Sequence, residues 1–176
     1  MTVYFVRHGQ TLLNIEDKVC GIIDSPLTEL GHKQAIETGN KIKESGLKID
    51  IILYSPLSRA KDTAKHISDI CNIPMIEEPR LIEQSFGKYE GIFKNSIEFM
   101  NAKKQFLSRY DGGESMFQVA QRIYNLLDDL KKSDKTYLLV AHNGISRVVN
   151  SYFYSMTVNE YASFQIKNCE IKEYHF

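Results

Sequence analysis

Two histidines and two arginines of this chain fall where short apolar runs end. Arg7-His8 closes the segment 2–6, Ser55 and Arg59 follow the segment 50–54, and His142 follows the segment 136–140. No cluster of aspartates accompanies them. Such a set suits an anion, and phosphate is the natural candidate, because a guanidinium fork matches phosphate oxygens in bidentate fashion. Helix N-termini near Gly9, Ser55 and Gly144 would add backbone donors. Binding alone would not hydrolyse a phosphate monoester, which reacts extremely slowly without a catalyst. The reaction needs charge stabilisation, a nucleophile and a proton donor for the leaving oxygen. Neutral histidine is a competent nucleophile near pH 6–7. Other hydrolytic patterns are missing from the sequence, which has no HExxH, no P-loop and no GxSxG.

The elements that would bring these residues together are visible in the apolar pattern. Segments 2–6, 50–54 and 136–140 read as buried strands. Ser55-Pro56 reads as an N-cap with proline at the first helical position, opening a helix with Leu57, Ala60, Ala64, Ile67 and Cys71 on one face. A helix is expected from about Thr28 to Lys43, another over 92–108, and another from about Ile145 to Phe153. Ser115 with Gln118 resembles a capping box and opens a helix with Met116, Val119, Ile123, Leu126 and Leu130 on its face. Segment 163–174 alternates well enough for one or two closing strands. Strands alternating with helices predict a three-layer α/β/α sandwich with a mainly parallel mixed sheet. In that architecture ligands bind at the carboxyl ends of the strands, so the two histidines and two arginines would share one rim.

Composition bounds the rest. The 176 residues carry 22 lysines plus arginines and 22 aspartates plus glutamates, a formal net charge of zero. That argues against a nonspecific nucleic-acid binder while allowing a locally basic pocket. The length fits a single domain over 1–176. No apolar run approaches the length a bilayer needs, and no signal peptide is visible, so no membrane partner is expected. Cys20, Cys71 and Cys169 are odd in number without CxxC spacing, which points to reduced thiols in a cytoplasm rather than disulfides or zinc.

The string Phe5-Val6-Arg7-His8-Gly9-Gln10-Thr11-Leu12-Leu13-Asn14 resembles the signature of the histidine phosphatase superfamily, the phosphoglycerate mutase-like proteins. Further blocks agree in order along roughly residues 3–170. They are Asp24 to Gly31, Tyr54 to Ala64, Leu81-Ile82-Glu83 with Phe86-Gly87 and Tyr89-Glu90-Gly91, Gly112 to Ser115, and Ala141-His142-Asn143-Gly144.

The resemblance implies that His8 is the nucleophile and forms a phosphohistidine. Arg7, Arg59 and His142 would hold the phosphoryl oxygens, with Asn14 and Asn143 at the same group. Glu83 would protonate the leaving oxygen and then act as base for water, with Glu90 as its rival. No metal and no cofactor would be needed. Two departures stand out. Asn143 occupies a place where many relatives have a first glycine, and Ile92-Phe93 follow Gly91 where many phosphatase members have a basic residue. Glu114 would cap or contact the site, or else serve a structural role, and His32, His66 and His175 read as surface histidines.

The expected function is a metal-independent phosphatase acting on a small phosphorylated metabolite, resembling compact members such as the alpha-ribazole phosphatases. The alternative is a phosphoglycerate mutase using the same phosphohistidine, which would want a longer lid than residues 91–112 offer. A third reading is a phospho-ligand-binding domain without catalysis. The aromatic-rich 152–164 segment makes a homodimer conceivable.

Overall fold

Successive residues of a strand face opposite ways, and here both faces of the sheet are apolar. The computed structural model describes residues 1–176. Its strands are β1 (Thr2–Arg7), β2 (Ile51–Tyr54), β3 (Met75–Glu77), β4 (Tyr137–Ala141) and β5 (Ile171–His175). They lie in the order β3-β2-β4-β1-β5, all parallel except β5, which runs antiparallel to β1. The helices are α1 (Leu12–Ile15), α2 (Glu29–Ser45), α3 (Ser58–Cys71), α4 (Ile97–Ala102), α5 (Met116–Leu130), α6 (Asn143–Phe153) and α7 (Val158–Ser163).

Val3, Phe5, Leu139 and Ala141 point to one face and pack with Val119, Ile123 and Leu126 of α5 and Ile145 and Val148 of α6. Tyr4, Val6, Leu138 and Val140 point to the other, against Ile42 of α2 and Ala60, Ala64 and Ile67 of α3. These are the three expected layers. Because β1, β2 and β4 are parallel neighbours, their carboxyl ends emerge side by side. Arg7-His8, Ser55 and His142 therefore meet at one rim.

A third, smaller apolar cluster lies over that rim. Val19, Phe99, Ala102 and Tyr110 are buried in it, with Phe86, Tyr89 and Ile92 packed alongside. The Phe86 ring stands edge-on to those of Phe99 and Tyr110, each 5.4 Å away. Backbone bonds from Val19 to Ile92 (2.8 Å) and from Gly91 to Val19 (2.9 Å) tie the two contributing segments together. This layer is the cover of the site.

Several local expectations change. The N-cap of α3 is Leu57, not Ser55, and it makes no side-chain cap bond. The Ser55 hydroxyl is instead 2.7 Å from the His142 ring. Only Ile97–Ala102 of the 92–108 segment is helical, and α7 precedes a single closing strand, β5. The capping box of Ser115 and Gln118 forms, and Thr28 caps α2. His32 and His66 are half-buried and share a 2.9 Å bond between α2 and α3, so neither is a plain surface histidine. Tyr152 and Phe153 pack inward against the α5–α6 core, while Tyr154 stays exposed. No helix is long and apolar enough to cross a membrane.

Candidate active site

His8 sits one residue past β1 and is 4% exposed. Its Nδ1 lies 2.7 Å from its neighbour Gly9's carbonyl oxygen. A carbonyl only accepts, so Nδ1 carries the ring proton and Nε2 keeps its lone pair. Nε2 makes no protein hydrogen bond and faces a cavity of about 240 Å³. Burial, reinforced by the nearby Arg59 and Arg7 charges, holds His8 well below the ordinary histidine pKa, so the ring is neutral. The backbone under it is fixed. Gly9 N–H donates to Thr63 Oγ1 at 3.0 Å, and Thr63 donates to the Arg59 carbonyl at 2.7 Å. Gly9 passes the backbone of Gly31 so closely that a Cβ would collide with it.

Arg7 reaches the same cavity. One terminal nitrogen donates to the Ile166 carbonyl at 2.8 Å. Its Nε is the sole buried side-chain nitrogen or oxygen in the chain without a hydrogen-bond partner. Its second terminal nitrogen makes no protein hydrogen bond either and is not closed off, and such a donor on a cation, beside a neutral imidazole, fits an arriving oxyanion. Asn14 Oδ1 accepts from Thr11 N–H at 3.2 Å within the capping box of α1, and from Asn168 Nδ2 at 3.4 Å. That leaves its amide donors for the cavity. Asn143 Oδ1 likewise accepts from Ile166 N–H at 3.1 Å, and Asn143 lines the cavity.

Glu83 lies across from these groups, 5% exposed. Its Oε1 accepts from Gln84 N–H and its Oε2 from Gly144 N–H, both at 2.9 Å. Burial pushes its pKa up despite those two bonds, which favours the neutral acid. Any Cβ at position 144 would run into this carboxyl. The Gly144 N–H is thus engaged by Glu83 rather than open to an anion, contrary to the expected helix-terminus donor. A side chain therefore fits at Asn143, the first position after His142, but not at Gly144.

Glu90 behaves differently. It does not line the cavity, and its carboxylate accepts from Gly21, Ile22 and Phe86 N–H at 2.9, 3.1 and 2.9 Å. It clamps the loop around residue 21 to the turn at residue 86. Glu114 is tied up too, in a two-pronged pair with Arg122 (3.0 and 3.1 Å) and a 3.2 Å bond from Ser85 N–H.

Arg59 and His142 are next to His8 but fully buried. The His8 and His142 ring centres are 5.1 Å apart. Arg59 Nε donates to His142 Nδ1 at 3.2 Å, and its terminal nitrogens donate to the Ile23 and Gly21 carbonyls at 2.8 and 2.7 Å. His142 therefore carries its proton on Nε2 and donates it to Ser55 Oγ. Burial and the Arg59 charge hold its pKa well below the ordinary range. Sequence reasoning placed both residues on the phosphoryl oxygens, whereas here they form a hydrogen-bonded cationic layer behind the nucleophile.

The cavity also contains groups not foreseen: Lys94, Lys103, Arg147 and Gln165, with an apolar wall from Val19, Phe86 and Phe99. Lys94 lies three residues after Gly91 and brings a basic group to the cavity wall. Arg147 lies four residues after Asn143 on α6, the spacing that places two side chains on one helix face. Cys20 also lines the cavity, with burial raising its thiol pKa, so it is kept as the protonated thiol. No group of three or more His, Cys, Asp or Glu side chains is arranged to hold a metal ion.

Against known proteins, residues 3–176 match the profile of the histidine phosphatase superfamily (branch 1). A Yersinia pestis protein named "Probable phosphoglycerate mutase GpmB" is 33% identical over 181 residues, covering 97% of this chain and 83% of its own length. A mycobacterial glucosyl-3-phosphoglycerate phosphatase superposes with a TM-score of 0.84 at 24% identity, covering 98% of this chain and 88% of that one. The alpha-ribazole phosphatase from Shigella flexneri does so with a TM-score of 0.80 at 22% identity, covering 98% and 89%. At these identities the two superpositions describe a shared fold.

Proposed function

The chain belongs to the histidine phosphatase superfamily, and on that premise we propose that it is a metal-independent phosphatase of small phosphorylated metabolites, acting as one domain through a phosphohistidine. The observation that carries this reading is the 2.7 Å bond from His8 Nδ1 to the Gly9 carbonyl, which leaves Nε2 unprotonated and facing the cavity.

The steps follow from the groups in place. Arg7, with its unpaired terminal nitrogen, and the amides of Asn14 and Asn143 bind the phosphoryl oxygens. Arg59, oriented by its Nε bond to His142 Nδ1, holds the same group from behind. Arg59 comes into direct contact by exchanging its bonds to the Gly21 and Ile23 carbonyls for phosphate oxygens. Nε2 attacks phosphorus, and the ester oxygen leaves with the Glu83 proton. The resulting Glu83 carboxylate takes a proton from water, which attacks the phosphohistidine and frees His8. The cationic surroundings stabilise charge on the transferring group without a metal.

The named relative from Yersinia pestis favours a second reading, a phosphoglycerate mutase on the same His8. The two separate in one assay. Phosphate release from small monoesters in EDTA is the expected outcome, with His8→Ala lowering kcat/KM by at least about 10⁴-fold. Interconversion of 2- and 3-phosphoglycerate faster than phosphate release would install the mutase instead. Neither activity would leave a phospho-ligand-binding domain. The reading involves no nucleic acid and no membrane, and the free thiols of Cys20, Cys71 and Cys169 suit the reducing cytoplasm. For a homodimer, the exposed Tyr154 is the part of the aromatic segment left available.

A further inference from the structure

The cavity in front of His8 carries more positive charge than a phosphoryl group alone would use. Lys94 is paired with Asp17 at 3.2 Å. Arg7, Lys103 and Arg147 have no carboxylate within ion-pair distance. Glu83, the one carboxyl group on the cavity wall, is biased towards its neutral form. Arg7 belongs with His8. Lys103 and Arg147 belong to a different place, because both also line a second cavity of about 270 Å³. They stand at the neck between the two chambers, together with Phe86 and Gly144. Arg147 donates Nε to the Phe164 carbonyl at 2.8 Å, and its terminal nitrogens make no protein hydrogen bond. Burial and the neighbouring Arg147 and Lys94 hold the Lys103 ammonium below its usual range, as expected of a cation awaiting a counter-charge.

The second chamber is more apolar, with Lys104 joining Lys103 and Arg147 as its charged wall. Phe106, Met116, Tyr161, Met100 and Val158 form much of its wall, and the last two are well exposed. Open apolar surface beside a charged neck suits a ligand with one charged end and one greasy end. We propose that the ligand is a phosphate monoester whose alcohol carries a second anionic group, held by Lys103 and Arg147 at the neck, and an apolar body that occupies the second chamber. It rests on the phosphatase reading for which end of the ligand faces His8.

The test uses phosphonates, whose carbon–phosphorus bond is not hydrolysed, so affinity is read apart from turnover. Calorimetry on the full chain compares methylphosphonate, phosphonoacetate, and phosphonoacetate carrying a benzyl group on its central carbon, so that the carboxylate lies between the phosphonate and the ring. Each added feature is expected to tighten Kd by about tenfold. Arg147→Met should erase the carboxylate increment, and Ala162→Trp, at an exposed position on the second chamber's wall, should erase the benzyl increment. If a variant fails to fold, the wild-type series alone decides. Equal affinities for the three ligands, or binding of none, would overturn the proposal. Phosphate release from the matching monoesters reports on hydrolysis separately: the expected affinity order without release would remove the phosphatase and leave the ligand class standing.

Discussion

The rim that carries His8 and the cover above it are built by opposite means. At the rim, each side chain is placed by hydrogen bonds to backbone or to another site residue, on strands whose both faces are buried. His8 and His142 have almost no freedom there. The cover is held by a small aromatic cluster, two short tethers and the Glu90 clamp. One region fixes atoms for chemistry, and the other shapes the space a ligand meets. Damage to the rim should therefore appear in kcat, and damage to the cover in KM or in stability.

Glu83 and Glu90 give the sharpest contrast, since they are two carboxyls of similar hydrogen-bonding and different place. Glu83→Gln should lower kcat by about 10²- to 10⁴-fold, the range for loss of a general acid. Glu90→Gln should instead leave kcat nearly intact while costing about 1–3 kcal/mol of stability through its three bound N–H groups. Steady-state kinetics beside thermal melts would read both. If the two glutamates exchanged these signatures, the division between rim and cover would be broken.

A smaller effect is expected inside the cover. Phe99 is 4% exposed and packs against Phe86 and Tyr89. Phe99→Ala should cost about 3 kcal/mol at most, as the small cluster can partly collapse. KM should rise severalfold with kcat retained. A fall in kcat with unchanged KM would mean that the cover takes part in the chemistry.

A further effect concerns the rim's response to pH. His8 and His142 have depressed folded-state pKa values, so the unfolded chain binds more protons once pH falls below about 6.5. Their contribution is full above that point and declines as pH drops, by about 1.4 kcal/mol per histidine per pH unit at most, until the folded-state values are reached. Glu83 acts in the opposite direction: its raised pKa weakens the fold as pH climbs past the usual carboxylate range. Denaturant melts across pH 4–8 would show the acid-side loss. A flat profile would mean that the two rings are solvated and the rim is open.

The same division governs how much could be read from the sequence. β1, β2 and β4 were legible because apolar runs ending at Arg7-His8, Ser55 and His142 admit few alternatives. The Ser115 capping box was legible because its signal is local. Ser55 was misread as a cap because its partner, His142, lies 87 residues away and no local pattern reports it. The 92–108 segment looked like one helix because its apolar residues serve the cover cluster instead, with Phe99 and Ala102 buried and Phe93 exposed. Lys94 and Lys103 carried no signal, since a lysine lining a cavity has the same letter as a solvated one. Arg147 could have been found from its spacing to Asn143.

The hydrogen bond beneath His8 also has a chemical consequence for any phosphorylated intermediate. With Nδ1 tied to the Gly9 carbonyl, the phosphorus–nitrogen bond can form at one ring position alone. The intermediate is then the τ regioisomer, 3-phosphohistidine, and not its 1-phospho counterpart. An isomer-selective reagent would distinguish the two, so a backbone carbonyl decides which covalent adduct the fold can make.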